Sequence, residues 1–193
     1  LRQSNAAAGV NWQTAQHYCQ WLGQQLEVPM SLPTEAQWEY AARNRGKYIL
    51  FPTDNGKING GHNIWTFDEK SALSRKYNTN LAIPIVGLYP PNPLGLYDMT
   101  NQNNEWMNDW YSEDYYANSP EHNPQGPKTG TEKVLRSVNA EWGSAQNIQA
   151  NGSITLMRIK RLPNPPLIEE AQDANQNAFT SARCVANRQQ ALN

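Results

Sequence analysis

Two cysteines and three histidines are the residues of this chain best suited to nucleophilic, redox or soft-metal chemistry. The cysteines, Cys19 and Cys184, are far apart in a 193-residue sequence. Thiolates select soft ions such as Cu(I), and a site built on them needs its thiolates brought together. The histidines are His17, His62 and His122, with no H-x-x-x-H or H-x-D spacing. A non-haem iron face needs two histidines and a carboxylate, so these three read as surface or capping side chains. The net charge of -1 leaves no electrostatic footprint for nucleic acid or an anionic membrane. No apolar run approaches the ~20 residues that a membrane-spanning helix needs.

The elements that must position these residues are set in an unusual composition. There are 23 Asn and 15 Gln, with 7 Trp, 9 Tyr and 13 Pro. Hydrophobic residues make up 38% and charged residues only 17%, so charge repulsion does not explain the low apolar content. Large aromatic packing units and stiff loops take the place of aliphatic helices. The length suits one domain with a sizeable core.

A first helix is expected from about Trp12 to Leu22, with Asn11 as N-cap and Gly23 as the stop. Ala15, Cys19 and Leu22 recur at i, i+4, i+7 and give it one core-facing stripe. A second is expected from Glu35 to Arg45. Thr34 and Gln37 form a capping box, Gly46 ends the helix, and Trp38, Ala41 and Ala42 are its buried stripe. Lys47 to Leu81 reads as long ordered loops. The apolar run Ile83–Leu88 ends in the rigid turn Tyr89-Pro90-Pro91-Asn92-Pro93.

The aromatic block Trp106–Tyr116 leaves two uses open, packing in the core or a sugar or partner surface. Ser119–Lys128 and Asn164–Asn177 read as loops, and Val134–Arg136, Ile154–Ile159 and Phe179–Val185 as strands. Residues 1–8 are expected to be a flexible end, 9–186 one domain and 187–193 a polar tail. Leu1 to Gly9 carry neither a start Met nor the blocks of a secretory leader, so a processed or truncated product is expected.

Four segments carry a resemblance. The first is Val10-Asn11-Trp12 leading into Ala15-Gln16-His17-Tyr18-Cys19-Gln20-Trp21-Leu22. The second is Leu32-Pro33-Thr34-Glu35-Ala36-Gln37-Trp38-Glu39-Tyr40-Ala41-Ala42-Arg43. The third is Pro90-Pro91-Asn92-Pro93-Leu94-Gly95-Leu96-Tyr97-Asp98-Met99, followed by Glu105-Trp106 and Asp109-Trp110-Tyr111. The fourth is Val134-Leu135-Arg136 with Ala182-Arg183-Cys184-Val185. In this order they resemble the formylglycine-generating enzyme family, or sulfatase-modifying-factor domain, over about residues 9–186. The resemblance implies an α+β, C-type-lectin-like fold with little regular secondary structure, here without the family's N-terminal part.

In that family the oxidases hold copper through two cysteines spaced C-x4-C. The corresponding stretch here, Arg136 to Arg161, contains no cysteine, so neither copper nor formylglycine-generating activity is expected. Cys19 and Cys184 match positions that pair as a disulfide in some members. The family also pins loops with calcium, a cation that prefers hard oxygen ligands. By resemblance one candidate calcium locus comprises Asn63, the Ile64 carbonyl, Asn78 and Asn80, and a weaker one comprises Gln102 and Glu105. The alternative is that these amides bond loop backbone directly.

Met157, Arg158, Lys160 and Arg161 lie where the family binds substrate and form a candidate partner surface. The resemblance therefore implies a catalytically inactive, protein-binding accessory or regulatory component, in the bacterial periplasm or envelope by family analogy. One alternative is a non-haem iron or siderophore-modifying oxidase of the same family. Another is a calcium-dependent, lectin-like glycan binder.

Overall fold

Asn11 starts the first helix, α1 (Trp12–Leu26), because its side-chain oxygen accepts the Thr14 N–H at 2.8 Å. This computed structural model describes residues 9–77, 86–100, 103–137, 154–164 and 180–188. Gly23 does not stop α1 but lies buried inside it. A Cβ there would stand 2.6 Å from the Val28 carbonyl, so glycine lets the following chain fold back on the helix. The stop falls at Glu27, whose left-handed φ of 54° brings its N–H onto the Gln24 and Gly23 carbonyls.

Among the described residues, the remaining elements are β1 (Met30–Ser31), α2 (Glu35–Ala42), α3 (Phe67–Tyr77), β2 (Asn104–Trp110), α4 (Tyr115–Asn118), β3 (Lys133–Arg136), β4 (Ile159–Arg161), β5 (Thr180–Ser181) and β6 (Val185–Ala186). The expected capping box at α2 is present. Gln37 N–H reaches Thr34 Oγ1 at 3.2 Å, and Thr34 N–H reaches Gln37 Oε1 at 2.9 Å. α2 ends at Ala42 rather than Arg45, because Asn44 and Arg45 have left-handed φ values of 46° and 65°.

The chain divides into two units. Among the described residues, the sheet unit comprises those within Gly9–Trp38, Asn104–Arg136 and Ile159–Asn193. Its main sheet has the order β4-β3-β2-β5, with β2–β3 and β3–β4 antiparallel and β2–β5 parallel. β1 and β6 pair separately and antiparallel. Ala15, Cys19, Leu32, Trp106 and Leu135 form the core, with Val10, Trp12, Ile159, Ala182 and Cys184 against it. Two tryptophans fasten that core to backbone: Trp106 Nε1 donates to the Val10 carbonyl at 2.8 Å and Trp12 Nε1 to the Met107 carbonyl at 2.9 Å. Cys19 and Cys184 are joined as the disulfide that the resemblance implied.

The loop unit comprises Glu39–Asn103 and Ser137–Arg158 among the described residues. The stretch expected to be loop throughout contains α3. Thr66 and Glu69 cap it reciprocally, and Asp68 and Glu69 in its first turn oppose Arg75 and Lys76 in its last, as the helix dipole favours. Asn92 holds the proline-rich turn, its Oδ1 accepting the Leu94 and Leu96 N–H groups and its Nδ2 donating to the Ala41 carbonyl. The expected strand Ile154–Ile159 begins only at Ile159. Before it the backbone turns, with Met157 N–H on the Ile154 carbonyl at 3.0 Å. The single closing strand expected at Phe179–Val185 is two short ones, β5 and β6.

Candidate functional site

Six ionisable side chains from four chain segments converge in the sheet unit. Glu35 opens α2, Glu105 and Asp109 come from β2, Lys133 and Arg136 come from β3, and Arg183 precedes β6. Arg136 has no exposed surface, and its guanidinium reaches Glu35 Oε1 at 2.8 Å and faces the Trp38 ring at 4.9 Å. Glu105 accepts a two-pronged contact from Arg183, at 2.7 and 2.9 Å, and the Trp38 indole N–H at 2.7 Å.

Asp109 Oδ2 accepts the Glu35 backbone N–H at 2.8 Å, so it satisfies an orphan donor in the first turn of α2. Lys133 Nζ lies between the Trp12 and Trp110 rings, 4.1 and 3.7 Å from their centroids, and donates to the Asn108 carbonyl at 2.8 Å. The loop after α4 closes over Asp109 and Trp110 because it passes them with glycines. A Cβ on Gly126 would stand 2.7 Å from Asp109 Cβ, and one on Gly130 would stand 2.8 Å from Trp110 Cβ.

Burial dominates the electrostatics. It pushes the Asp109 carboxyl up to about 6, with the nearby Glu35 charge adding to the rise and Lys133 opposing it. It pushes the Lys133 ammonium down to about 8 against the pull of Asp109. Glu35, Glu105, Asp109, Lys133 and Arg136 are all buried, and each meets an opposite charge or a hydrogen-bonding partner. The arrangement ties a helix start, two strands and the last segment together; it offers no accessible base or nucleophile. The sequence reading missed it, although Glu35, Glu105, Asp109, Arg136 and Arg183 all fall inside the four quoted segments.

The candidate calcium residues are placed as follows. Asn63 is buried in the loop unit. Its Oδ1 accepts the Asn59 N–H at 2.8 Å, and its Nδ2 donates to Asp54 Oδ1 at 2.8 Å and to the Lys57 carbonyl at 3.0 Å. The Ile64 carbonyl accepts the Gly61 N–H at 2.9 Å. The Asp54 carboxylate adds an oxygen that the sequence reading did not include; hydrogen bonds from Asn63 and His62 hold its carboxyl below the usual range against the effect of burial. Each of these three oxygens already accepts one hydrogen bond. A six- to eight-oxygen calcium shell would have to draw further ligands from elsewhere. Asn78, Asn80 and Gln102 lie outside the described residues. Glu105 is in the sheet unit, with both carboxylate oxygens engaged by Arg183.

The candidate partner residues divide between the units. Met157 and Arg158 belong to the loop unit, Lys160 and Arg161 to β4 in the sheet unit. Lys160 pairs with Glu132 at 3.1 Å, which holds its ammonium above the ordinary value. Of the histidines, His17 bonds Gln13 on α1, His62 bonds Asp54, and His122 is exposed in a loop. Among the described residues, no helix is long and apolar enough to cross a membrane.

Short helices, small sheets and long pinned loops define an α+β protein of the C-type-lectin-like class. Residues 2–183 match the sulfatase-modifying factor enzyme 1-like domain, and the chain belongs to that family. It is 35% identical over 138 residues to the formylglycine-generating enzyme of Streptomyces coelicolor, a match covering 70% of this chain and 42% of that enzyme. It is 37% identical over 131 residues to the serine/threonine-protein kinase pkn1 of Chlamydia pneumoniae, covering 66% of this chain and 18% of the kinase. The chain thus spans less than half the length of these relatives. The structure of PvdO from Pseudomonas aeruginosa shares the fold, with a TM-score of 0.62 at 22% identity over 92% of this chain and 60% of PvdO.

Proposed function

We propose that this chain is a catalytically inactive member of its family, acting as a protein-binding accessory or regulatory part of a larger assembly in the bacterial cell envelope. The observation that carries the reading is the Cys19–Cys184 disulfide. It uses both cysteines of the sequence, which leaves no thiolate pair to hold Cu(I). An oxidising compartment is where such a bond forms and persists, which supports the envelope placement. The match to 18% of pkn1 supports a domain that serves within a larger protein.

The test is incubation of the purified chain with copper and a cysteine-containing sulfatase peptide, followed by mass spectrometry of the peptide and elemental analysis of the protein. We expect intact cysteine and no stoichiometric copper or iron; an aldehyde product or a bound redox metal sinks the inactive reading. Capture of native partners from envelope extract, with charge reversal at Arg158 and Arg161 as the control, tests the binding half.

A second reading, calcium pinning the Asn63 turn, is supported by the Asp54 carboxylate, which is hydrogen-bonded to the Asn63 side chain next to Ile64.

A further inference from the structure

The loop unit exposes a group of large apolar side chains: Tyr48 at 92% of its surface, Leu156 at 53%, Leu50 at 43% and Met157 at 38%. Two separate segments supply them, and a buried residue locks those segments side by side. Thr155 donates its backbone N–H to the Leu50 carbonyl at 2.8 Å and its hydroxyl to the Ile49 carbonyl at 2.7 Å. A single exposed leucine is ordinary on a protein surface, but four large apolar side chains on two clamped segments are a cluster of the kind that marks an interaction site.

Two exposed cations, Arg45 and Lys47, lie next to Tyr48 in sequence, in a stretch bounded by Glu39 and Asp54. Residues 40–53 contain Arg43, Arg45 and Lys47 and no acid, and residues 154–158 contain Arg158 and no acid. Arg43 is paired with Glu39 at 3.0 Å, whereas Arg45 and Lys47 are exposed and form no ion pair among the described residues. An apolar centre with a basic rim complements a segment that carries acids beside apolar anchors.

We infer that the face of Tyr48, Leu50, Leu156 and Met157 docks an acidic segment of a protein partner, the partner's apolar side chains covering these four and its carboxylates meeting Arg45 and Lys47. The inference rests on the protein-binding function proposed above and names the face and the chemistry of its occupant.

The test is selection of phage-displayed random peptides on the full chain, followed by anisotropy titration of the enriched sequences. Enriched peptides are expected to combine Asp or Glu with Leu, Phe or Trp. Tyr48→Ser and Met157→Ser should each weaken them by about tenfold or more, the scale of an anchor residue. Lys47→Glu should weaken them as well, and rising salt should do the same to the parent. All three substitutions are at exposed positions, so an unchanged melting temperature shows that the variants are folded. Peptides that bind the variants as tightly as the parent remove this face while leaving a protein-binding function standing elsewhere. Failure to enrich any peptide overturns the docking face, and the envelope capture then decides the broader reading separately. Lys47-dependent sedimentation with phosphatidylglycerol vesicles, with peptides ignored, also overturns it, in favour of an anionic membrane.

Discussion

Arg136 shows at the scale of one residue why this protein carries charge in its interior. Its guanidinium is fully buried yet bonded to Glu35 and laid over Trp38. Removing one member of such a pair strands a buried charge, so Arg136→Ala should cost about 3–5 kcal/mol, read as a lowered urea midpoint. Replacing both partners together, as Glu35→Gln with Arg136→Met, should recover part of that loss. Asp109 and Lys133 give a second prediction at this scale. The folded Asp109 carboxyl titrates near about 6 against an ordinary 3.8, so its contribution is fully present below the lower value and is lost as pH rises through the upper one. The folded Lys133 ammonium titrates near about 8 against an ordinary 10.5, so its contribution is present above the higher value and is lost as pH falls through the lower one. Melting curves across pH should therefore flatten on the acid limb in Asp109→Asn and on the alkaline limb in Lys133→Met.

At the scale of elements, the disulfide is the strongest single tie, because it joins α1 to a residue 165 positions further on. In the chain-entropy account a loop of that length is worth about 5 kcal/mol, so Cys19→Ser with Cys184→Ser should lower the melting temperature steeply. The Asn63 turn makes a metal-dependent prediction. If calcium pins it, adding calcium to chelator-treated protein raises the melting temperature and Asn63→Ala abolishes the rise; identical melting with and without calcium means that the turn is closed by its own hydrogen bonds. Local signals were legible in the sequence where they act over three or four residues, as the Thr34–Gln37 box did. The same kind of box at Thr66–Glu69 was overlooked because glycines and asparagines before it suggested loop throughout. Gly23 misled because a glycine after an apolar stripe looks like a stop, whereas its use here is close approach of the chain from Val28. The ionic network was out of reach for a different reason. It depends on contacts between residues up to 101 positions apart, such as Glu35 with Arg136, which no local spacing announces. The exposure of Tyr48 and Leu50 is likewise a tertiary property.

For the whole molecule, the order of four short segments was enough to identify the family, since each contains residues that the fold must bury or pair. What the chain does was less legible, because both cysteines are joined to each other and the stretch Arg136 to Arg161 contains none. The bond between them has a topological effect. Any one cut between residues 20 and 183 leaves two fragments still linked covalently through Cys19 and Cys184. A protease that nicks an exposed loop, whether near Tyr48 or in the stretch after α4, should therefore leave one band on a non-reducing gel and two after reduction. The domain can lose continuity of its backbone without shedding a piece.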